Sequence, residues 1–197
     1  MDLDALRTGP LADVRDPAEV LEAATVFEGR VFDVARETAR FGAGRIAREF
    51  TVHHGAVAVL AVDDDDRVLL INQYRHPVRT RLWEIPAGLL DVAGEDPLTA
   101  AKRELAEETD LVAERWSDPL RFYTSPGQSD EQVTLFEARG LRPAPGLHPR
   151  TDEEAEIVVR WVTRAEAREA AFAGRIGNAI LLIALLAADV RDRDVRG

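Results

Sequence analysis

The sequence contains no cysteine. That excludes a disulfide scaffold, a thiolate zinc site and a cysteine nucleophile. Lysine is almost missing as well. Lys102 is the only one, and every other basic residue apart from histidine is arginine. The glycine-rich phosphate loop that ends in lysine is therefore excluded. No basic run offsets the 36 acidic residues, which against 25 basic ones leave a net charge of -11. Such a chain repels nucleic acid, and a phosphate substrate would need cations as mediators. Long apolar runs are missing too. The most apolar stretch, Ala179 to Ala188, falls short of the roughly 20 residues of a membrane span and reads as a buried helix. Met1 to Val20 is charged and has no apolar centre, unlike a signal peptide. The expectation is a cytoplasmic protein with neither a membrane nor a nucleic-acid partner.

The 197 residues are 46% apolar and 31% charged, enough to bury a core without covalent staples. Residues 1–20 read as a loose lead-in. Val26–Glu28, Val31–Val34 and Ile46–Val52 read as short strands, with a turn at Phe41–Gly44. Ala56–Val62 and Val68–Tyr74 are apolar runs joined by four aspartates, Asp63 to Asp66, which suggests a hairpin with a solvated turn. Trp83–Pro86 reads as extended. Asp96-Pro97 opens a helix to about Thr109, with aspartate as N-cap and proline first inside. Strands are expected at Leu120–Thr124, Gln132–Ala138 and Ile157–Val162, and a proline-rich loop at Leu141–Glu156. Helices are expected at Arg164–Ala173 and Asn178–Val190. Many strands with few, late helices indicate an α+β fold.

The helix at 97–109 is the informative element. Leu98, Ala101 and Leu105 form one apolar stripe, and Glu104, Glu107 and Glu108 form an adjacent face at i, i+3 and i+4. Three carboxylates there repel one another by a few tenths of a kcal/mol per pair. They also sit in the last turns, where the helix dipole favours cations. An ordinary solvated face is one account. A hard-cation site is the other, since clustered carboxylate oxygens suit Mg²⁺ or Mn²⁺ bridging to substrate phosphates.

From Gly88 the chain runs through Glu95 to Arg103-Glu104-Leu105-Ala106-Glu107-Glu108-Thr109-Asp110-Leu111. This resembles the signature box of the Nudix hydrolases, matching all but one of its defined positions. Six residues separate Gly88 from Glu95 where the family has five, and Asp110 stands where the box has glycine. That position ends the helix and calls for a positive φ, which aspartate tolerates better than most residues. The resemblance implies the Nudix fold, a mixed curved sheet flanked by helices. It implies Glu104, Glu107 and Glu108 as metal ligands, with the Ala87 carbonyl as a further one. It also implies Arg103 as the residue that holds the glutamates, and Glu95 as a brace between loop and helix.

Outside the box, Gln73-Tyr74-Arg75 followed by Glu84-Ile85-Pro86-Ala87-Gly88 resembles the ADP-ribose pyrophosphatase branch. So do Pro126, fifteen residues after Leu111, and the acidic loop Asp152–Glu156. The resemblance implies that Arg75, Glu84 and Pro126 serve substrate binding. It implies that Glu153 or Glu154 is the catalytic base, Glu153 being the first choice. Phe27 or Phe32 would stack on adenine from a neighbouring subunit. Plainer readings stand beside these. Arg75 could be an ion-pair partner, Pro126 a turn residue, the acidic loop a tether, and the three tryptophans core or rim residues. The resemblance also implies a homodimer, with residues 1–55 as arm and dimerisation region and 56–197 as the hydrolase domain. The expected reaction is Mg²⁺- or Mn²⁺-dependent cleavage of ADP-ribose, or a close nucleotide sugar, to AMP and a sugar phosphate. GDP-mannose, an oxidised nucleoside triphosphate, and a catalytically silent nucleotide-binding domain are the alternatives.

Overall fold

Alternation along two buried strands sets the architecture. The computed structural model describes residues 10–146 and 156–196. Strand β4 (Ala56–Ala61) is buried at every position. Ala58, Leu60 and Val62 enter one apolar cluster, while Val57, Val59 and Ala61 enter another on the opposite face. Strand β5 (Arg67–Arg75) divides likewise, with Val68 and Leu70 on one side and Leu69 and Ile71 on the other. Successive side chains of a strand point to opposite faces, so a continuous apolar run requires cover on both. The covers are helices. Helix α1 (Pro97–Thr109) supplies Ala100, Ala101 and Leu105 to one cluster. Helices α2 (Arg164–Phe172) and α3 (Ala179–Arg196) supply Ala167, Leu181, Leu185 and Ala188 to the other. No helix among the described residues is long and apolar enough to cross a membrane.

The chain divides by contacts into two units, one up to His53 and one from His54. The first is an antiparallel sheet of β1 (Val20–Phe27), β2 (Asp33–Phe41) and β3 (Gly44–Val52) in sequence order. β1 starts earlier and β2 runs longer than the sequence suggested. Arg36 bonds Glu49 at 2.9 Å and Arg40 bonds Glu19 at 2.7 Å, so the charged residues face one another across the sheet. His53 and His54 fall past the end of β3, not within a strand.

Among the described residues the second unit holds two sheets. One is ordered β7 (Ala87–Leu89), β4, β10 (Gln132–Pro143), β8 (Leu111–Trp116), with β9 (Leu120–Tyr123) also on β10. The other is ordered β11 (Val158–Thr163), β5, β6 (Thr80–Glu84). The expected hairpin between β4 and β5 is therefore corrected. The aspartate turn is tight, with Asp66 N–H on the Asp63 carbonyl at 3.2 Å and a single bridge from Val62 to Val68. Beyond it the strands part, and β4 pairs in parallel with β10 instead. Two departures lie close together. Strand β8 was not anticipated, and β10 runs on to Pro143, pairing it with Leu111, where a loop was expected. Each strand completes the other.

Candidate active site

Local signals place α1 to the residue. The Asp96 side chain accepts from the Leu98 and Thr99 N–H groups at 3.0 and 3.2 Å, with Pro97 inside the first turn. The Thr99 hydroxyl, then these N–H groups, hold the Asp96 carboxyl below its ordinary range. The helix closes on Asp110 at φ 58°, its N–H reaching the Ala106 carbonyl at 2.9 Å. The left-handed residue expected at the box's departure from glycine is there.

The carboxylate face is not solvated. Glu104 and Glu108 are 8% and 4% exposed, and Glu107 is partly buried. An unpartnered buried charge costs several kcal/mol, so these carboxylates must be engaged. The Ala87 N–H donates to Glu108 Oε2 at 2.9 Å. Glu104 lies against Gly88 so closely that a Cβ there would stand 2.0 Å from its carboxyl carbon. Arg103 gathers the rest. Its Nη1 donates to Glu104 Oε1 at 2.6 Å and to Glu107 Oε2 at 3.1 Å. Its Nε and Nη2 donate to the two Glu95 oxygens at 3.3 and 3.0 Å. The bond to Glu95 does most to push the Arg103 pKa above its ordinary value, with Glu104 and Glu107 adding to it against burial. Arg103 thus bonds Glu95 in the loop and Glu104 and Glu107 on the helix together.

The loop carrying Ala87 and Gly88 is itself anchored. Ile85 is 1% exposed, and the Pro86 carbonyl accepts from Val59 at 2.8 Å. Ala87 and Gly88 then pair with Ala58 and Val57 of β4. The Glu104 contact makes Gly88 the test of this geometry. Gly88→Ala should keep the fold, because the clash is with a side-chain end, yet displace Glu104. A loss of turnover of about 10²-fold with an unchanged melting temperature is the expected result, read by steady-state kinetics beside thermal unfolding.

Arg75 and Glu84 are brought together by the β5–β6 pairing. Arg75 Nε and Nη2 bond the two Glu84 oxygens at 3.0 and 2.8 Å, and Glu84 is 3% exposed. The plainer reading of Arg75, an ion-pair partner, is what the geometry displays. Pro126 occupies a turn closed by Gln128 N–H on the Ser125 carbonyl at 2.9 Å. Phe27 and Phe32 are exposed residues of the first unit. Trp83, Trp116 and Trp161 are partly buried and packed against the two clusters, as core or rim residues. Glu153 and Glu154 lie outside the described residues.

The donor chemistry of the helix face is all hard oxygen, which fits Mg²⁺ or Mn²⁺ and not a thiophilic metal. Among the described residues no three acidic or histidine side chains converge as a ready metal cage. Instead Arg103 bridges Glu104 and Glu107. Sequence reasoning missed two contacts, the Ala87 N–H on Glu108 and the seat of Glu104 on Gly88. The small residues at 87 and 88, set beside an acidic helix, were the only available signal for them.

The chain is similar to known proteins. The NUDIX domain family matches residues 52–182. An ADP-ribose pyrophosphatase of Mycobacterium tuberculosis is 42% identical over 170 residues, 86% of this chain and 82% of the relative. An ADP-ribose pyrophosphatase of Bacillus subtilis is 43% identical over 117 residues, 59% of this chain and 63% of the relative. A crystal structure of an ADP compounds hydrolase superposes with a TM-score of 0.76 at 21% identity, over 93% of this chain and 98% of that one, which speaks for the fold. With the capped acidic helix, the buried glutamates and the mixed sheets already in place, these matches make the chain a member of the Nudix hydrolase family.

Proposed function

We propose that the protein hydrolyses the diphosphate of ADP-ribose, or of a close ADP-sugar, to AMP and a sugar phosphate. The observation that carries this reading is the pair of buried glutamates, Glu104 and Glu108, held by Arg103, Gly88 and the Ala87 N–H. The relatives named above lend the substrate. Glu104, Glu107, Glu108 and the Ala87 carbonyl would hold Mg²⁺ or Mn²⁺, which supplies an acidified water and offsets the charge of the diphosphate. The remaining work falls to the chain. Arg103 keeps the glutamates in register. Arg75, aligned by Glu84, presents its guanidinium to a phosphate oxygen. Pro126 shapes the sugar side, and Phe32 stacks on adenine from a second copy. Residues 1–55 form the dimerisation region of a homodimer, and the exposed Val26, Phe27, Phe32 and Phe41 are its apolar contacts. The enzyme works in the cytoplasm.

The test is a product assay with Mg²⁺ over ADP-ribose, other ADP-sugars, GDP-mannose and an oxidised nucleoside triphosphate. ADP-ribose should give the highest kcat/KM, with AMP as product. A tenfold preference for GDP-mannose or the triphosphate would overturn the substrate, and inactivity on the whole panel would overturn catalysis. An active monomer by light scattering at micromolar concentration would overturn the dimer.

The base has its own test. Water on a bound cation is already acidified, so loss of a general base should cost about 10²- to 10⁴-fold in turnover. Glu153→Gln is expected in that range with substrate affinity nearly kept, and Glu154→Gln should be milder. The reverse order would move the base to Glu154. Two harmless variants would move it into the helix face.

A further inference from the structure

Away from the carboxylate helix, the second unit carries an open pocket of about 530 Å³. It is lined by Arg139, Arg164 and Arg191, and by Asp66, Glu137 and Asp192. Five pieces of chain contribute: the aspartate turn after β4, Ser117 between β8 and β9, the middle of β10, the first residue of α2, and α3. The catalytic loop meets β4 at Ala58, whereas the turn leaves its other end, roughly 15 Å along the strand. No residue assigned above to catalysis or substrate binding lines the pocket.

Its hydrogen-bond balance favours donors. Arg164 Nε and Nη2 bond Asp66 Oδ2 at 3.1 and 2.8 Å, and Nη2 also pairs with Asp192. The side chain is nine-tenths buried, and its Nη1 has no partner. Among the described residues it is the only buried side-chain nitrogen or oxygen in that condition. Burial works against the Arg164 charge, and the two aspartates outweigh it. Arg139 Nε bonds Glu137 at 2.6 Å, while its Nη2 stands 3.9 Å from Asp66, beyond hydrogen-bond reach. Arg191 Nη2 donates to the Asp118 carbonyl at 2.8 Å. Each guanidinium has five N–H donors, so the three together outnumber the acceptors they meet. A buried donor without an acceptor costs about 1–3 kcal/mol, so the guanidinium gains if it turns this nitrogen toward an acceptor in the pocket. The start of α2, where Thr163 caps Glu166 N–H at 3.1 Å, adds a partial positive charge.

We propose that this pocket is a second, non-catalytic oxyanion site that takes a phosphate group, either as inorganic phosphate or as a phosphomonoester. Arginine forks match tetrahedral and planar oxyanions, and no other side chain supplies so many directed donors. The three carboxylates balance the three arginines in formal charge. Affinity therefore comes from hydrogen bonds and not from net charge. The bound anion would tie α2 and α3 to the aspartate turn.

The test is thermal unfolding of the full chain in EDTA, at constant ionic strength set with sodium chloride. Without a divalent cation the carboxylate helix face repels phosphate, and any rise that comes from Arg75 persists in the pocket variants below. Inorganic phosphate at 20 mM should raise the melting temperature by about 3 °C and saturate. Arg139→Gln with Arg191→Gln should remove the rise and leave turnover on ADP-ribose unchanged. If that pair fails to fold, Arg191→Gln alone, which loses one bond to a carbonyl, should at least halve the rise. A parallel series with ribose 5-phosphate separates the sources. A rise with inorganic phosphate alone supports a free anion, and a rise with both supports a phosphomonoester. An equal rise in wild type and the variants overturns the site, as does no rise above chloride in the wild type.

Discussion

Glu104→Gln and Glu108→Gln should each lower turnover by about 10³-fold or more, which is about 4 kcal/mol of barrier, and leave the fold intact. The separation of the two effects follows from the contacts. A glutamine at 108 still offers an oxygen to the Ala87 N–H, and one at 104 still accepts from Arg103. What disappears is the charge. Removing it relieves the repulsion between like charges at i and i+4, worth a few tenths of a kcal/mol. The melting temperature without Mg²⁺ should therefore hold or rise at 108, and at 104, where the ion pair with Arg103 is also lost, it should hold. Kinetics at saturating ADP-ribose, paired with calorimetry, check both halves. Near-normal turnover in either variant would sink the catalytic assignment. A clear fall in melting temperature would give that glutamate a structural role instead.

Arg103→Ala should show the opposite profile, with stability and activity lost together. One guanidinium satisfies Glu95, Glu104 and Glu107. Glu104 and Glu95 side chains are each 11% exposed, so its removal takes the Arg103 counter-charge from two nearly buried carboxylates. Breaking a fully buried pair costs 3–5 kcal/mol. Arg103 is about a third exposed, and screening reduces this to about 1–3 kcal/mol. In a chain of this size that is a fall of roughly 3–10 °C in melting temperature. Turnover should fall at least tenfold because Glu104 and Glu107 lose their register. Arg103→Lys should restore more of the stability than of the turnover, since an ammonium keeps the charge and lacks the fork that reaches three partners. A variant that melts like wild type would show that Arg103 is not the hub of this face.

The helix was legible because its determinants are local. Asp96 and Pro97 announce the start, Asp110 accepts the left-handed end, and the glutamate spacing falls on one face within a few turns. Strand partnership is not local in this way. Nothing within Ala56–Tyr74 distinguishes a hairpin from two strands that leave a common turn for different sheets, and the partner of β4 lies far downstream. Strand β8 was missed because no strong alternation marks Leu111–Trp116, and its register depends on β10. The pairing of Arg75 was weighed and left open. Glu84 was in view, but only the β5–β6 register, with Ile71 opposite Glu84, shows that the two side chains meet.

The parallel pairing of β4 with β10 also governs how the molecule can be made. β4 is apolar on both faces and has no side that tolerates water. Its neighbours β7 and β10 emerge from the ribosome after it, and β10 only after the whole of α1 and β8. The three strands of the first unit pair with their immediate neighbours in sequence and can close as they appear. The centre of the second unit cannot. Long-range strand pairing is slow, and an unpaired apolar strand is a template for aggregation in the interval. Chain lengths that stop short of β10 would leave this strand uncovered. Truncation there would be punished by insolubility rather than by loss of activity alone, and expression fragments of the hydrolase unit need to run beyond Pro143.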